Sequence, residues 1–179
     1  LLGLLSTFGM LGRTSRLKVF APECYASLFE QQMNFFMQGM TYEIEFVPVD
    51  TTQQKVVYED HSVTVETVPL RHRVTCCGYI FREKPTLPHI RRDMIDYYGI
   101  PLSQINNIKN GADWTTPEGD IVPNSRLVEP ADAPRSYAYC SDTCYLPDLY
   151  ERVKDVTVLY HESTYTSENE DRAKIYYHS

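Results

Sequence analysis

The stretch Ser136-Tyr137-Ala138-Tyr139-Cys140-Ser141-Asp142-Thr143, answered by Val156-Thr157-Val158-Leu159-Tyr160-His161-Glu162-Ser163, decides the fold. Each opens on a short run rich in β-formers, which reads as a strand. Between the two, Leu146, Leu149, Tyr150 and Val153 recur at helical spacing. Strand, helix, strand is a β-α-β unit, so the two strands should be parallel and buried by helices. Parallel strands put their carboxyl ends on one edge, where open α/β sheets place their sites. That edge receives Asp142, His161 and Glu162. Two acids and an imidazole so gathered suit metal binding or proton transfer. The plainer reading has Asp142 capping the next helix and His161 packing on the sheet.

Beyond this unit, Ser167 and Glu170 form a capping-box pattern that predicts a helix through Tyr176. On the other side, Leu1 to Leu11 reads as a helix ending near Gly12, and Leu17 to Phe20 as a strand closed by Pro22. Tyr25, Leu28, Phe29, Gln32 and Phe36 mark a second helix, stopped by Gly39. Tyr42 to Pro48, Lys55 to Tyr58, the alternating Val63, Val65 and Thr67, and Cys77 to Phe81 predict strands, with Asp60-His61 at a turn. Their alternation suggests antiparallel pairing with one solvated face. From Arg82 to Pro134 the pattern breaks. Seven of the eleven prolines fall there, predicting a segment poor in regular structure apart from a short helix at Arg91 to Tyr98. Long irregular excursions are functional or mobile; a disordered surface loop is the alternative.

The chain has 179 residues, 42% hydrophobic and 23% charged, enough apolar content to bury a core. No apolar run reaches the ~20 residues that span a bilayer. A net charge of −7 argues against a protein that coats nucleic acid wholesale. Yet Arg71, Arg73, Arg82, Lys84, Arg91 and Arg92 against Glu83 give +5 locally, leaving −12 on the remainder. Such a stripe suits a phosphate-bearing partner or is simply a solvated face. Five cysteines, without a C-x-x-C pair, read as buried thiols of a protein in a reducing cytoplasm. His72, between Arg71 and Arg73, reads as a ligand, a phosphate contact or a surface histidine. There is no Walker loop, dinucleotide fingerprint or nucleophile elbow, which leaves metal-assisted chemistry as the enzymatic option. The apolar opening Leu1-Leu2-Gly3-Leu4-Leu5 and the ending Tyr176-Tyr177-His178-Ser179 suggest an interior piece of a larger domain.

Five blocks carry a resemblance that covers essentially the whole chain. They are Leu1-Leu2-Gly3-Leu4-Leu5-Ser6-Thr7; Pro69-Leu70-Arg71-His72 with Gly78-Tyr79; Tyr139-Cys140-Ser141-Asp142-Thr143; Tyr160-His161-Glu162-Ser163-Thr164; and Tyr176-Tyr177-His178-Ser179. In this order the sequence resembles the ribonuclease Z family, tRNA 3′-processing endonucleases of the metallo-β-lactamase superfamily. The resemblance implies an α/β (α+β) αββα sandwich, incomplete at both ends, with two zinc ions (Zn2+) at the edge between the sheets. Residues 1–179 would be a partial metallo-β-lactamase-like domain, with 82–134 inserted as the flexible arm that grips tRNA. His72 would bind metal and Asp142 would bridge both ions. Glu162 would orient His178 beside the scissile phosphate, with His161 supporting the strand end. Arg82, Lys84, Arg91 and Arg92 would contact tRNA at the arm and its entrance.

The implied activity is zinc-dependent removal of the 3′ trailer from precursor tRNA by a cytoplasmic homodimer without a membrane anchor. The family's H-x-H-x-D-H block falls before Leu1 and its last metal-binding histidine after Ser179. The chain alone is therefore expected to be inactive, since His72 and Asp142 are too few donors for tetrahedral zinc. Cys144 stands where many members carry a basic residue, and the arm is less lysine-rich than is usual. Other readings are a different hydrolase of the superfamily, such as a small-molecule phosphodiesterase or an arylsulfatase, and a non-catalytic RNA-binding fragment.

Overall fold

The computed structural model describes residues 1–179. In chain order the elements are α1 (Leu2–Met10), β1 (Leu17–Pro22), α2 (Ala26–Phe36), β2 (Ile44–Val49), β3 (Val56–Glu59), β4 (Val63–Pro69), β5 (Cys77–Glu83), β6 (His89–Ile90), α3 (Arg92–Tyr97), α4 (Leu102–Lys109), β7 (Trp114–Thr115), β8 (Ile121–Val122), α5 (Asn124–Leu127), β9 (Val128–Glu129), β10 (Ser136–Cys140), α6 (Leu149–Arg152), β11 (Val158–His161) and α7 (Glu170–Tyr176). They form two compact units. One comprises Leu1–Asp60, Thr64–Arg82 and Ser136–Ser179; the other His61–Val63 and Glu83–Arg135.

In the first unit a five-stranded sheet runs in the order β11-β10-β5-β4-β3. β10 and β11 are parallel, as the β-α-β pattern requires, and β10 pairs antiparallel with β5. Strand alternation gives the sheet two different faces. Val68, Ile80, Ala138 and Cys140 point to one and bury it against Leu149 and Val153 of the α6 region. The opposite face carries stacked pairs, Tyr139 on Tyr160 at 4.9 Å and Phe81 on Tyr137 at 6.2 Å. Gly78 is required where β5 meets β10, because a Cβ there would lie 2.6 Å from the Tyr139 carbonyl oxygen. α1 and α2 close a second core, in which Leu5, Phe29 and Met37 pack with Val19 and Phe46 of the small β1–β2 sheet. Tyr79 donates its hydroxyl to the Phe20 carbonyl at 3.0 Å, joining that small sheet to the large one.

Several expectations need correction. β1 and β2 pair in parallel, not antiparallel. The intervening α2 is a crossover helix, and a crossover returns the chain in the same direction. Within residues 1–179 β11 lies at the edge of the sheet, and Val158, Leu159 and Tyr160 are exposed there instead of covered by a helix. The helix drawn from Leu146 shrinks to the single turn of α6, with Tyr150 exposed. No side chain caps α7; Ser167 instead opens a 3-10 turn leading into it. Among the cysteines only Cys140 is buried, and Cys24 is exposed.

Burial pushes the Cys140 thiol up to about 11. At pH 8 such a thiol holds roughly 100-fold less thiolate than an ordinary one. Brief alkylation followed by peptide mapping is expected to find Cys24 modified first and Cys140 last. Equal rates would show that the core beneath the sheet is open.

The second unit corrects the expectation of an irregular segment. Ile95, Ile100, Ile108, Val122 and Leu127 form a core of their own, edged by Trp114 and Val128. Prolines start its helices instead of breaking them, since Pro101 and Pro123 stand at the N-caps of α4 and α5. Asn124 donates to the Ile108 and Ala112 carbonyls at 2.6 and 2.9 Å, tying α5 to the end of α4. At the neck the Glu83 amide donates to the Arg135 carbonyl at 2.9 Å, and the Arg135 amide to the Glu83 carboxylate at 2.8 Å.

Candidate metal centre

Three strand ends build the centre in the first unit. β4 ends at Pro69 and releases Leu70, Arg71 and His72; β10 ends before Asp142 and Thr143; β11 ends on His161, followed by Glu162. The Cys144 amide donates to the Arg71 carbonyl at 2.8 Å and the Arg71 amide to the buried Thr143 hydroxyl at 3.2 Å, clamping the first two loops together. α7 supplies the fourth piece. It ends with Tyr177 in the left-handed conformation, at φ 59°, which turns the chain so that His178 and Ser179 fold back over the strand ends. Left-handed backbone is costly for a non-glycine residue and persists where the surroundings fix it. Here the Tyr177 carbonyl accepts a hydrogen bond from His72 Nδ1 at 3.0 Å, and the Arg71 guanidinium lies 5.5 Å above the Tyr177 ring.

Glu162 is the hub. Its side chain is only 7% exposed, yet both oxygens are satisfied. Thr143 donates its amide, Thr164 its hydroxyl at 2.6 Å, His178 its Nδ1–H at 2.9 Å and Ser179 its amide at 3.3 Å. Burial pushes the carboxyl pKa up, but the four hydrogen bonds outweigh it and hold Glu162 below the usual carboxylate range. A carboxylate only accepts, so Nδ1 of His178 carries the proton and Nε2 is left for other chemistry. The Ser179 hydroxyl donates to the Thr143 carbonyl at 2.8 Å, closing the loop.

The structure brings four of the sequence-derived candidates together. One ligand-type atom from each of Asp142, Glu162 and His178 lies within 4.8 Å of the others. The His72 and His178 rings are 4.8 Å apart. His161 is turned back on its own strand, with Nδ1 2.6 Å from the Glu162 carbonyl oxygen. As a metal site the donors are unequal. Glu162 is consumed by its four donors. Asp142 is exposed and caps no helix. His72, donating Nδ1–H to a backbone carbonyl, has the tautomer in which Nε2 is a ligand, the arrangement that metal-binding histidines adopt. His72 and Asp142 therefore fit a metal, and as two donors they fill half of a tetrahedral set.

The basic candidates divide between the units. Arg82 pairs with Glu66 at 3.6 Å in the first unit. Lys84, Arg91 and Arg92 belong to the second, where Arg91 pairs with Asp93 at 2.7 Å and Arg92 is exposed at the start of α3. The Arg91–Asp93 pair lies at the surface, where solvent weakens it and lets a phosphate replace the carboxylate, whereas Arg82 and Glu66 are half-buried.

Thr143, Thr164, Tyr177 and Ser179 were not singled out by sequence reasoning. Three donate through backbone amides or hydroxyls, and Tyr177 acts through its carbonyl. Their only sequence signal is adjacency to Asp142, Glu162 and His178.

No protein-family model matches the chain. Curated relatives match from end to end. The chain is 48% identical over 179 residues to a Ribonuclease Z of Bacteroides fragilis strain YCH46, covering all of this chain and 59% of that protein. It is 49% identical to the Ribonuclease Z of Phocaeicola vulgatus, covering 58% of it. Porphyromonas gingivalis strain W83 has a Ribonuclease Z 40% identical over 177 residues. The chain thus spans less than two thirds of the length of these relatives. Among solved structures, human tRNase Z, short form, superposes with a TM-score of 0.58 at 14% identity, over all of this chain and 58% of that one. That likeness shows the fold, which is the metallo-β-lactamase fold.

Proposed function

The chain is homologous along its whole length to ribonuclease Z proteins, and on that premise we propose that it is part of an endoribonuclease that removes the 3′ trailer from precursor tRNA. The observation that carries the reading is the Glu162–His178 pair beside His72 and Asp142, four residues from separate loops gathered at one sheet edge. His72 and Asp142 would hold part of a pair of zinc ions, which when bound supply Lewis-acid activation of water and neutralise charge on the phosphoryl oxygens. Glu162, ionised, would accept from Nδ1–H of His178 and aim the opposite edge of the ring at the cut. Its Nε2–H then serves the departing O3′, so that the tRNA keeps a 3′-hydroxyl and the trailer a 5′-phosphate.

Residues 83–135 would form the arm, gripping tRNA through Lys84, Arg91 and Arg92 by phosphate contact and shape, with Arg82 at its entrance. We assign the enzyme to the cytoplasm as a homodimer. No helix is long and apolar enough to cross a membrane.

The test is excision of the arm from the full-length enzyme. The segment leaves after Arg82 and returns at Ser136, which are direct antiparallel partners. An Asn-Gly linker in place of 83–135 therefore closes a two-residue hairpin. The excised enzyme is expected to lose precursor-tRNA processing by about 100-fold or more in kcat/KM, as several phosphate contacts are lost, while hydrolysis of bis(p-nitrophenyl) phosphate persists. Equal loss on both substrates would count against the arm, and unimpaired tRNA processing against the reading of 83–135 altogether.

A further inference from the structure

We propose that the cavity beside His178 is a base-binding subsite for the nucleotide whose 3′ oxygen departs, with Tyr165 as its stacking platform. The proposal rests on the endoribonuclease reading and deepens it. The cavity has a volume of about 530 Å³ and lies wholly in the first unit, between the loops that follow β4, β10 and β11 and the helix α7. That is within the usual range for small-ligand sites, about 300–1,000 Å³, and holds one nucleoside with its phosphate.

Its walls include Arg71, Tyr145, Tyr165, Lys174, Tyr177 and His178. Aromatic rings combined with cations are what single-stranded nucleic acid requires: bases stack on the rings while the backbone follows the positive charge. Arg71 already lies over the Tyr177 ring. Lys174 is paired with Glu170 at 2.6 Å on an exposed surface, a weak pair that a phosphate can displace. Tyr165 is fixed at both ends. Its amide donates to the Ser179 carbonyl at 3.0 Å, its ring meets His178 edge-on at 6.3 Å between centroids, and it lies nearly parallel to the Tyr176 ring at 6.5 Å, which leaves one face for a base.

Covalent connectivity of the substrate selects the occupant. His178 serves O3′, which belongs to the ribose on the tRNA side of the cut, and the base of that nucleotide hangs from the same sugar ring. The first trailer nucleoside hangs instead from O5′, an oxygen that stays on phosphorus. The ring that touches His178 is therefore placed for the base on the tRNA side. Stacking tolerates any base, so the subsite accepts tRNAs that differ at this position.

The experiment uses the full-length, zinc-loaded enzyme and precursor tRNAs carrying an abasic sugar either just 5′ or just 3′ of the cut. With the 5′ abasic substrate kcat/KM is expected to fall about tenfold or more, the scale of one lost base stack. Tyr165→Ala is expected to cause a similar fall on the natural substrate and no further fall on the 5′ abasic one, and Tyr165→Phe to restore the natural value. Sensitivity to the 3′ abasic sugar instead, or equal losses by Tyr165→Ala on every substrate, would overturn the proposal. A wild-type enzyme that leaves precursor tRNA intact would overturn the reading beneath it.

Discussion

Asp142→Ala in the full-length enzyme is expected to abolish precursor-tRNA cleavage and to lower bound zinc below two ions per chain. The reasoning starts from what Asp142 does not do. Its side chain is exposed, it caps no helix, and the buried neighbour Thr143 carries the clamp to Arg71. Truncation therefore spares the fold, since exposed positions outside such clamps usually shift stability by no more than about 0.5 kcal/mol. What disappears is a carboxylate with an oxygen within 4.8 Å of ligand-type atoms of Glu162 and His178, and one that, unlike Glu162, is not already held by hydrogen bonds. Metal analysis after dialysis, run beside a thermal melt, separates the two effects. Full turnover with both ions retained would refute the assignment of Asp142 as a ligand.

The second large effect separates chemistry from metal. His178→Ala is expected to reduce kcat by about 10²–10⁴-fold, the range for loss of a positioned proton donor, while zinc content stays at its wild-type level. Glu162→Gln should give a loss of the same kind, because the amide oxygen can still accept from Nδ1 but carries no negative charge to offset positive charge on the ring. Glu162→Ala is a different experiment. It strands the Thr143 and Ser179 amides in a nearly closed site, where each unsatisfied donor costs about 1–3 kcal/mol, so a fall in melting temperature should accompany the lost activity. If His178→Ala loses zinc in step with Asp142→Ala, the ring is a ligand and the division of labour proposed for the centre is wrong.

The parts of this architecture that sequence reveals are those with a long enough period. β10, α6 and β11 declare their order through a run, a helical stripe and a second run, and their parallel pairing follows from connection length. The β1-α2-β2 unit has the same grammar. The alternation in Val63, Val65 and Thr67 is true of β4 and points to antiparallel pairing there, but it does not carry back to β1 and β2, which a helix separates. Unit two escaped for another reason. Apart from α3, which the run from Arg91 to Tyr98 announces, its strands are two residues long and its other helices one or two turns, too short for a clear period, and its core is assembled from single residues, Ile95, Ile100, Ile108 and Leu127, spaced by turns. At the centre, His72, Asp142, Glu162 and His178 bear chemistry in their side chains and were visible as blocks. The amides, hydroxyls and carbonyl that hold them have no such mark, since every residue owns a backbone.

One consequence lies in the peptide unit between Tyr177 and His178. The oxygen that sets the tautomer of one imidazole and the chain that delivers the other belong to a single left-handed kink. Trimming the ring at 178 leaves that kink alone, whereas displacing the kink misaligns both rings at once. The two halves of the chemistry, grip on the cation and care of the leaving group, thus share one hinge pin, and backbone damage there is all-or-none.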